Sequence, residues 1–222
     1  MNENQIILID KPAGISSFGV VAKVRANLRD KFDHKVKVGH TGTLDPFATG
    51  LLILLSGQMT KKSNDFLKLD KTYDADLRLG YTSTTGDPEG DLTLISEKIP
   101  DLAEIKTTLD SFLGPIDQTP PRFSAIKING TRAYKLARKG TDFKIPSRRV
   151  EIYSIDLLDY TYPTLSIRVH CSSGTYIRTL AEDIGKSLKT GAYLTALRRL
   201  TIGDYDIKDA HPLSDFTTEP LS

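Results

Sequence analysis

Gly39-His40-Thr41-Gly42-Thr43-Leu44-Asp45-Pro46-Phe47-Ala48-Thr49-Gly50 places a single carboxylate in a stretch dense with glycine, threonine and proline, directly before the apolar run Leu51 to Leu55. Glycines at 39, 42 and 50 permit backbone angles that other residues avoid, and Pro46 restricts Asp45 to extended or turn geometry. The hydroxyls of Thr41 and Thr43 can tie the loop to itself. The pattern predicts a stiff loop that presents Asp45 to a ligand and then feeds a buried strand. An isolated Leu-Asp-Pro would be no more than an ordinary turn; the twelve residues together ask for more.

Working outward, Gln5 to Asp10 reads as a buried strand, followed by a turn at Lys11 to Gly14 and a helix capped by Ser16 or Ser17 with Val20, Val21, Val24 and Leu28 on one face. Lys35 to Val38 is a short strand entering the aspartate loop. Tyr73, Ala75, Leu77, Leu79 and Tyr81 alternate with polar residues, the period of a half-buried strand on which Tyr73 and Leu77 share a face. Gly86 to Asp91 is acidic, but it has an internal proline and no terminal glutamate for a calcium loop, so it reads as an exposed turn. Asp101 to Phe112 is an amphipathic helix that Gly114 terminates.

After the break at Pro120-Pro121 come a strand around Phe123 to Ile128, a turn at Asn129-Gly130 and a short basic helix from Thr131 to Lys139, closed by Gly140. The arrangement reads as an excursion from the core. Strands resume at Val150 to Leu158 and Leu165 to Cys171; Gly174-Thr175 then opens a helix through Lys189, and Ala192 to Tyr205 returns to extended structure. Strands in runs with helices dispersed among them favour an α+β domain, with a mixed or antiparallel central sheet flanked by helices, over a doubly wound fold.

Composition narrows the function classes. The chain has 222 residues, enough for one large domain, and 39% hydrophobic content supports a core. The longest apolar runs are far below the roughly 20 residues of a spanning helix, and no signal-type segment opens the chain, so a cytoplasmic location is expected. One cysteine and four scattered histidines offer neither a disulfide nor a metal-ligand set, and no metal or other cofactor is expected. No large amphipathic stripe remains after the core is assigned, so a monomer with no membrane or protein partner is expected.

A net charge of +2 says little about partners, but its distribution says more. Between Arg122 and Arg149 lie Arg122, Lys127, Arg132, Lys135, Arg138, Lys139, Lys144, Arg148 and Arg149 against Asp142 alone, interleaved with Phe123, Tyr134 and Phe143. That mixture suits phosphate contacts beside base or sugar packing. Further cations precede the aspartate loop at Lys23, Arg25, Arg29, Lys31, Lys35 and Lys37, and a third cluster is Arg198-Arg199.

Five ordered segments resemble the TruB family of tRNA pseudouridine synthases over nearly the whole chain: Asp10 to Ser17, Gly39 to Gly50, Lys71-Thr72-Tyr73, Gln118 to Lys127, and Ser173 to Leu180 with Leu197-Arg198-Arg199-Leu200. The resemblance implies the pseudouridine synthase fold and cofactor-free isomerisation of a uridine in the T loop of tRNA, position 55 in RNA numbering. It implies a single catalytic domain over 1-222 with a basic, thumb-like insertion at about 122-149 that closes over the T-stem loop. One departure from the family pattern is expected: Thr201 to Ser222 are too few to fold as the C-terminal RNA-binding domain of the PUA type that many bacterial relatives carry.

The chemistry accounts for the residue types. Breaking an N-glycosidic bond and rejoining the same base through carbon needs a group that holds one fragment while the base turns, and a carboxylate does so covalently or electrostatically. Asp45 is assigned this role as nucleophile, with attack on the sugar, attack on the base and abstraction of a sugar proton all left open. Arg178 is the cation that keeps it ionised and oriented. A uridine in a folded loop must leave its stack, so the pocket has to replace lost stacking. By resemblance Tyr73 stacks on the flipped base and is placed to help remove the C5 proton. Tyr176 and Leu197 line the same pocket, His40 contacts the RNA beside the flipped nucleotide, Lys11 supports the loop or a phosphate, and Lys127 binds substrate. A non-catalytic tRNA chaperone would share every basic and aromatic feature and differ only in making Asp45 and Arg178 dispensable. A metal-dependent phosphate-ester enzyme would need a second acidic ligand that the sequence does not supply.

Overall fold

The computed structural model describes residues 3–216. In chain order the first half contains β1 (Ile6–Lys11), α1 (Ser17–Phe32), β2 (Val38–His40), β3 (Thr49–Ser56), α2 (Ser63–Leu67), β4 (Lys71–Leu79), β5 (Tyr81–Ser83), β6 (Leu92–Leu94) and α3 (Leu102–Asp110). The second half contains β7 (Gly114–Gln118), β8 (Lys127–Ile128), β9 (Thr131–Arg132), α4 (Ala133–Arg138), β10 (Arg148–Thr161), β11 (Thr164–Cys171), α5 (Ile177–Ser187), β12 (Ala192–Ile202), β13 (Tyr205–Asp206) and β14 (His211–Pro212). The chain forms two compact units, one of residues 1–73 with 197–222 and one of residues 74–196.

In the first unit the strand order is β14-β1-β3-β12, with β2 beside β3 and β13 beside β12. Strands β1 and β3 run antiparallel from Ile6 opposite Leu55 to Lys11 opposite Gly50, while β12 meets β3 in parallel at Arg198–Thr49 and Arg199–Gly50. The run Leu51 to Leu55 is wholly buried because both faces of β3 are covered. Leu52 and Leu54 pack with Ile7, Ile9 and the α1 valines, and Leu51, Ile53 and Leu55 pack with Phe66 and Ile202. Helix α1 starts as its sequence predicts, with the Ser16 side chain accepting from the Gly19 amide and Val20, Val21, Val24 and Leu28 buried. The strand before the aspartate loop lies at Val38–His40, starting three residues later and ending two residues later than the 35–38 reading, because it pairs with Leu54, Leu55 and Ser56.

In the second unit β4 from Asp74 onward, β11, β10 and β7 follow one another in a sheet, and α3 and α5 pack in the same unit; Lys71 to Tyr73 of β4 belong to the first unit. Alternation along β4 gives buried Lys71, Tyr73, Ala75, Leu77 and Leu79. Helix α3 opens with a full capping box between Asp101 and Glu104 and ends at Ser111; Gly114, read from the sequence as its terminator, instead begins β7 with φ of 85°. Asn129 and Gly130 do form the hairpin turn, with φ of 47° and 83°, but the strand before them is confined to Lys127–Ile128 rather than reaching back to Phe123. Helix α5 begins at Ile177, not at Gly174, because Gly174 has φ of 87° and Thr175 turns back onto the Ser172 carbonyl. Residues 201–216 are taken up by β13, β14 and short 3-10 turns; residues 217–222, the rest of the stretch read as too short for another domain, lie outside the described residues. Among the described residues no helix is long and apolar enough to cross a membrane.

Candidate active site

The aspartate loop connects β2 to β3 and is held by side chains from distant parts of its unit. The Ser17 hydroxyl accepts from the Leu44 amide and donates to the Leu44 carbonyl, 2.8 Å each way. On the other side of Asp45, the Pro46 carbonyl accepts from the Gly14 amide at 2.9 Å and from Lys11 Nζ at 3.2 Å. The Ala48 amide closes a turn onto the Asp45 carbonyl at 3.2 Å, with Pro46 in the second position that its fixed φ suits. Thr41 donates its amide and hydroxyl to the Ile53 carbonyl. Asp45 itself is half-buried between neighbours that are fixed on both flanks.

Two buried cations underpin this loop. Lys11 is fully buried and divides its three protons among the carbonyls of Pro12, Ile15 and Pro46 at 2.9, 2.8 and 3.2 Å. Burial pushes its pKa down to about 8; the Asp45 carboxylate opposes that shift and the Arg199 guanidinium adds to it. Arg199, 1% exposed, donates from Nε to the Leu51 carbonyl at 2.8 Å and from Nη2 to the Gly42 carbonyl at 3.1 Å, bridging the two ends of the loop. Gly50 is required by the backbone of the same residue, its partner on β12: with φ of 104°, a Cβ there would lie 2.3 Å from the Arg199 carbonyl oxygen.

The Arg198-Arg199 pair is therefore not the solvated basic cluster that its charge suggests. Arg198 forms a fork onto both Asp10 oxygens at 3.1 and 2.7 Å, and Arg199 is interior. Lys11 reaches the loop through its bond to the Pro46 carbonyl, a contact between residues 35 apart. In the same unit the His40 ring accepts from the Gly42 amide at 3.4 Å, a cap on the loop entrance, while Tyr73 and Leu197 are each 8% exposed on β4 and β12.

In the second unit Arg178, in the first turn of α5, is 4% exposed. Its Nη1 donates to the Thr85 carbonyl at 2.9 Å and to Asp87 Oδ2 at 3.1 Å, and its Nη2 donates to the Phe123 carbonyl at 2.7 Å. The 86–91 segment is a turn with Pro88, Glu89 and Asp91 exposed, as read from the sequence, but Gly86 and Asp87 within it are buried. Asp87 is 4% exposed and accepts also from the Thr85 hydroxyl and the Glu89 amide. A buried guanidinium needs a carboxylate, and turn-forming residues supply one here. Gly86 has φ of 74° and passes so close to Glu182 that a Cβ would lie 2.4 Å from its carboxylate. Burial raises the Glu182 pKa, with Asp183 and Asp87 adding to the effect and Arg178 opposing it.

Tyr176, the N-cap of α5, is fixed by Gln118, whose fully buried amide accepts from the Tyr176 amide at 2.7 Å and donates to its carbonyl at 3.0 Å. The Arg148 guanidinium lies over the Tyr176 ring, 4.7 Å from its centroid. Lys127 is exposed on the β8–β9 hairpin. Arg122, Arg132, Lys135, Arg138, Lys139, Lys144 and Arg149 are exposed in the same basic segment, with Arg122 over Phe143 at 4.7 Å and Arg138 over Tyr134 at 5.7 Å. Sequence reasoning overlooked Asp87 and the internal role of Arg199. Among the described residues no group of three or more His, Cys, Asp or Glu side chains could hold a metal ion.

Residues 29–177 match the model of the TruB family pseudouridylate synthase N-terminal domain, and residues 178–221 match that of the tRNA pseudouridylate synthase B C-terminal domain. The tRNA pseudouridine synthase B of Cupriavidus pinatubonensis is 46% identical over 217 residues, covering 96% of this chain and 67% of the relative. The chain belongs to the TruB family. The Flavobacterium johnsoniae tRNA pseudouridine synthase B is a TruB relative of similar length, 44% identical across 96% of this chain and 95% of its own. A solved Cbf5–Nop10–Gar1 complex contains a chain superposable with a TM-score of 0.71 at 29% identity, covering 96% of this chain and 53% of that one. An H/ACA RNP bound to a substrate RNA containing 2'-deoxyuridine gives 0.69 at 27% identity, covering 95% and 51%. The TruB chain described here thus spans about half the length of those solved chains, and its α+β fold with a mixed sheet is that of the pseudouridine synthases.

Proposed function

We propose that this TruB chain isomerises the uridine at position 55 in the T loop of tRNA, with Asp45, Tyr73 and Arg178 as its catalytic residues. Conversion of a tRNA uridine to pseudouridine is the reaction of the family to which the chain belongs. The N1–C1′ bond breaks, the base turns, a C5–C1′ bond forms, and the proton leaves C5 while N1 gains one. No redox partner is needed, so the protein has to supply a held carboxylate, a pocket for the flipped base and a proton acceptor.

The observation that carries the assignment to Asp45 is the pair of clamps on Leu44 and Pro46, which hold the residue from both sides. Pre-fixed geometry of this kind lowers the entropic part of a barrier. Arg178 is assigned to keep the carboxylate ionised, and its own bonds to Asp87 and two carbonyls support a fixed guanidinium rather than a mobile surface one. Tyr73 is assigned to stack on the flipped base and to assist loss of the C5 proton. Tyr176 and Leu197 are assigned to the pocket wall, and His40, Lys11 and Lys127 to substrate binding; for Lys11 the route is indirect, through the loop it supports.

The two units act as one catalytic domain in this reading, with 122–149 as the RNA-gripping insertion and the protein a cytoplasmic monomer. The test is Asp45→Asn with unmodified tRNA. Product formation should fall by at least about a thousandfold, the scale of losing a covalent or charge-stabilising group, while tRNA affinity stays within a few fold. An Asn variant that still makes pseudouridine at near wild-type rate would sink the assignment. A wild-type protein that binds tRNA without converting it would favour the chaperone reading.

A further inference from the structure

Helix α1 carries an aromatic side chain that the catalytic assignment leaves unused. Phe18 is 64% exposed, in the first turn of the helix, and the guanidinium of Arg25 lies 5.8 Å from its ring centroid. The residue before it, Ser17, is buried and makes both hydrogen bonds to Leu44, the neighbour of Asp45. Side chains in a helix lean toward its N-terminus, so a first-turn phenylalanine covers the end of α1 that is fastened to the aspartate loop. Behind it, the stretch from Ser17 to Lys37 has Lys23, Arg25, Arg29, Lys31, Lys35 and Lys37 against Asp30 and Asp33, and Asp30 is paired internally with Arg29 at 2.8 Å.

The four α1 residues Val20, Val21, Val24 and Leu28 fill the core side, and Phe18 is left on the solvent side with a cation at its ring. A ring of this kind, backed by a guanidinium and a row of cations, has the two elements of single-stranded RNA recognition: a face for a base and positive charge for the phosphates.

We propose that Phe18 and Arg25 form a stacking platform for an unpaired nucleobase of the substrate RNA next to the flipped uridine, with Lys31 and Lys35 along the adjoining phosphates. The proposal rests on Asp45 being the residue that receives the uridine. A nucleotide at Asp45 brings its chain neighbours to within a few residues' reach of the Ser17–Leu44 junction, and Phe18 is the exposed aromatic at that junction. The ligand is therefore RNA with unstacked bases, and the platform acts on binding and not on bond breaking.

The protein contains no tryptophan, so Phe18→Trp creates a single indole reporter. Titration with an unmodified T-arm hairpin should quench its emission by about half or more, saturating at the concentration where turnover saturates. Phe18→Ala should raise KM for the same hairpin roughly tenfold, in line with loss of one base–aromatic stack, with kcat and melting temperature unchanged. Arg25→Gln should raise KM less and flatten the salt dependence of binding by about one unit of slope. Emission unaltered by a hairpin that Phe18→Trp demonstrably isomerises would overturn the platform while leaving the assigned reaction intact. So would an emission shift that follows protein concentration without RNA, which would make a second copy of the chain the occupant. A wild-type protein that binds the hairpin without converting it would instead overturn the assigned reaction.

Discussion

The aspartate loop at 39–50 and the basic segment at 122–149 both contain irregular backbone, yet they are held in opposite ways. The loop's amides and carbonyls are captured by side chains far away in sequence: Ser17 at a separation of 27 residues, Lys11 at 35, Arg199 at 157. The basic segment is tied to the rest of its unit at its two ends, where the Phe123 carbonyl accepts from Arg178 and Arg148 and Arg149 pair with β7, and between them it bonds chiefly to itself. Arg132 donates to the Ala125 carbonyl, Arg122 to the Thr141 carbonyl 19 residues on, and the Ala133 amide to the Ile126 carbonyl, while most of its cations face solvent. Long-range ties are lost only when the unit itself opens, whereas local ties can move as a body. The contrast fits a division of labour in which one segment fixes a reacting group and the other gathers and encloses a polyanion.

The strongest way to break the comparison is to remove the tie that spans the loop. Arg199→Met keeps much of the side chain's apolar volume but leaves the Gly42 and Leu51 carbonyls without their buried donor. At about 1–3 kcal/mol for each unsatisfied group, the unit should lose roughly 2–6 kcal/mol of stability, measurable as a lower urea midpoint. Turnover at a temperature where the variant is still folded should drop about a hundredfold, with KM for tRNA moving much less. Normal kcat in a folded Arg199→Met protein would show that the loop keeps its shape without the arginine, and the distinction drawn here would fail.

A gentler perturbation is available through pH, because Lys11 needs its charge to serve three carbonyls at once. The neutral amine has two protons, so one carbonyl loses its donor, and Pro46 at 3.2 Å has the longest of the three bonds. With the pKa lowered to about 8 from 10.5, turnover should fall along a one-proton limb near pH 8, by up to about tenfold, as the support beside Asp45 weakens. Stability should move the other way. Between about 8 and 10.5 the unfolded chain binds more protons at this position than the folded one, so the Lys11 contribution to stability increases as pH rises through that window. Lys11→Arg, which stays charged, should move the limb beyond pH 10. A wild-type profile flat from pH 7 to 10 would remove Lys11 from the account of the loop.

The same contrast explains what could be read in the sequence. Local chemistry was legible: the Ser16 cap and valine face of α1, the alternation along β4, the Asn129-Gly130 turn and the glycine-rich surroundings of Asp45. Features that depend on a distant partner were not. Asp87 sits among residues that favour an exposed turn, and only Arg178, 91 residues later, turns it into a buried counter-ion. Arg198 and Arg199 are adjacent cations in the sequence, but their fates are set by Asp10 and by the Gly42 and Leu51 carbonyls. Charge in a sequence shows that a partner is needed; the fold decides whether that partner is a carbonyl, a carboxylate or an RNA phosphate.

The smallest expected effect completes the comparison. Lys127 is exposed on the β8–β9 hairpin, so Lys127→Ala removes no internal support. The melting temperature and kcat should be unchanged within error. KM for tRNA should rise only two- to threefold near physiological salt, and the slope of log affinity against log salt should become shallower by roughly 0.7–0.9, the signature of one lost phosphate contact. An unchanged slope would place Lys127 outside the RNA path. A fall in kcat of the size expected for Arg199→Met would show that the basic segment shapes the reacting group as well as the grip, because substitution of an exposed cation that only gathers RNA has no route to the chemical step.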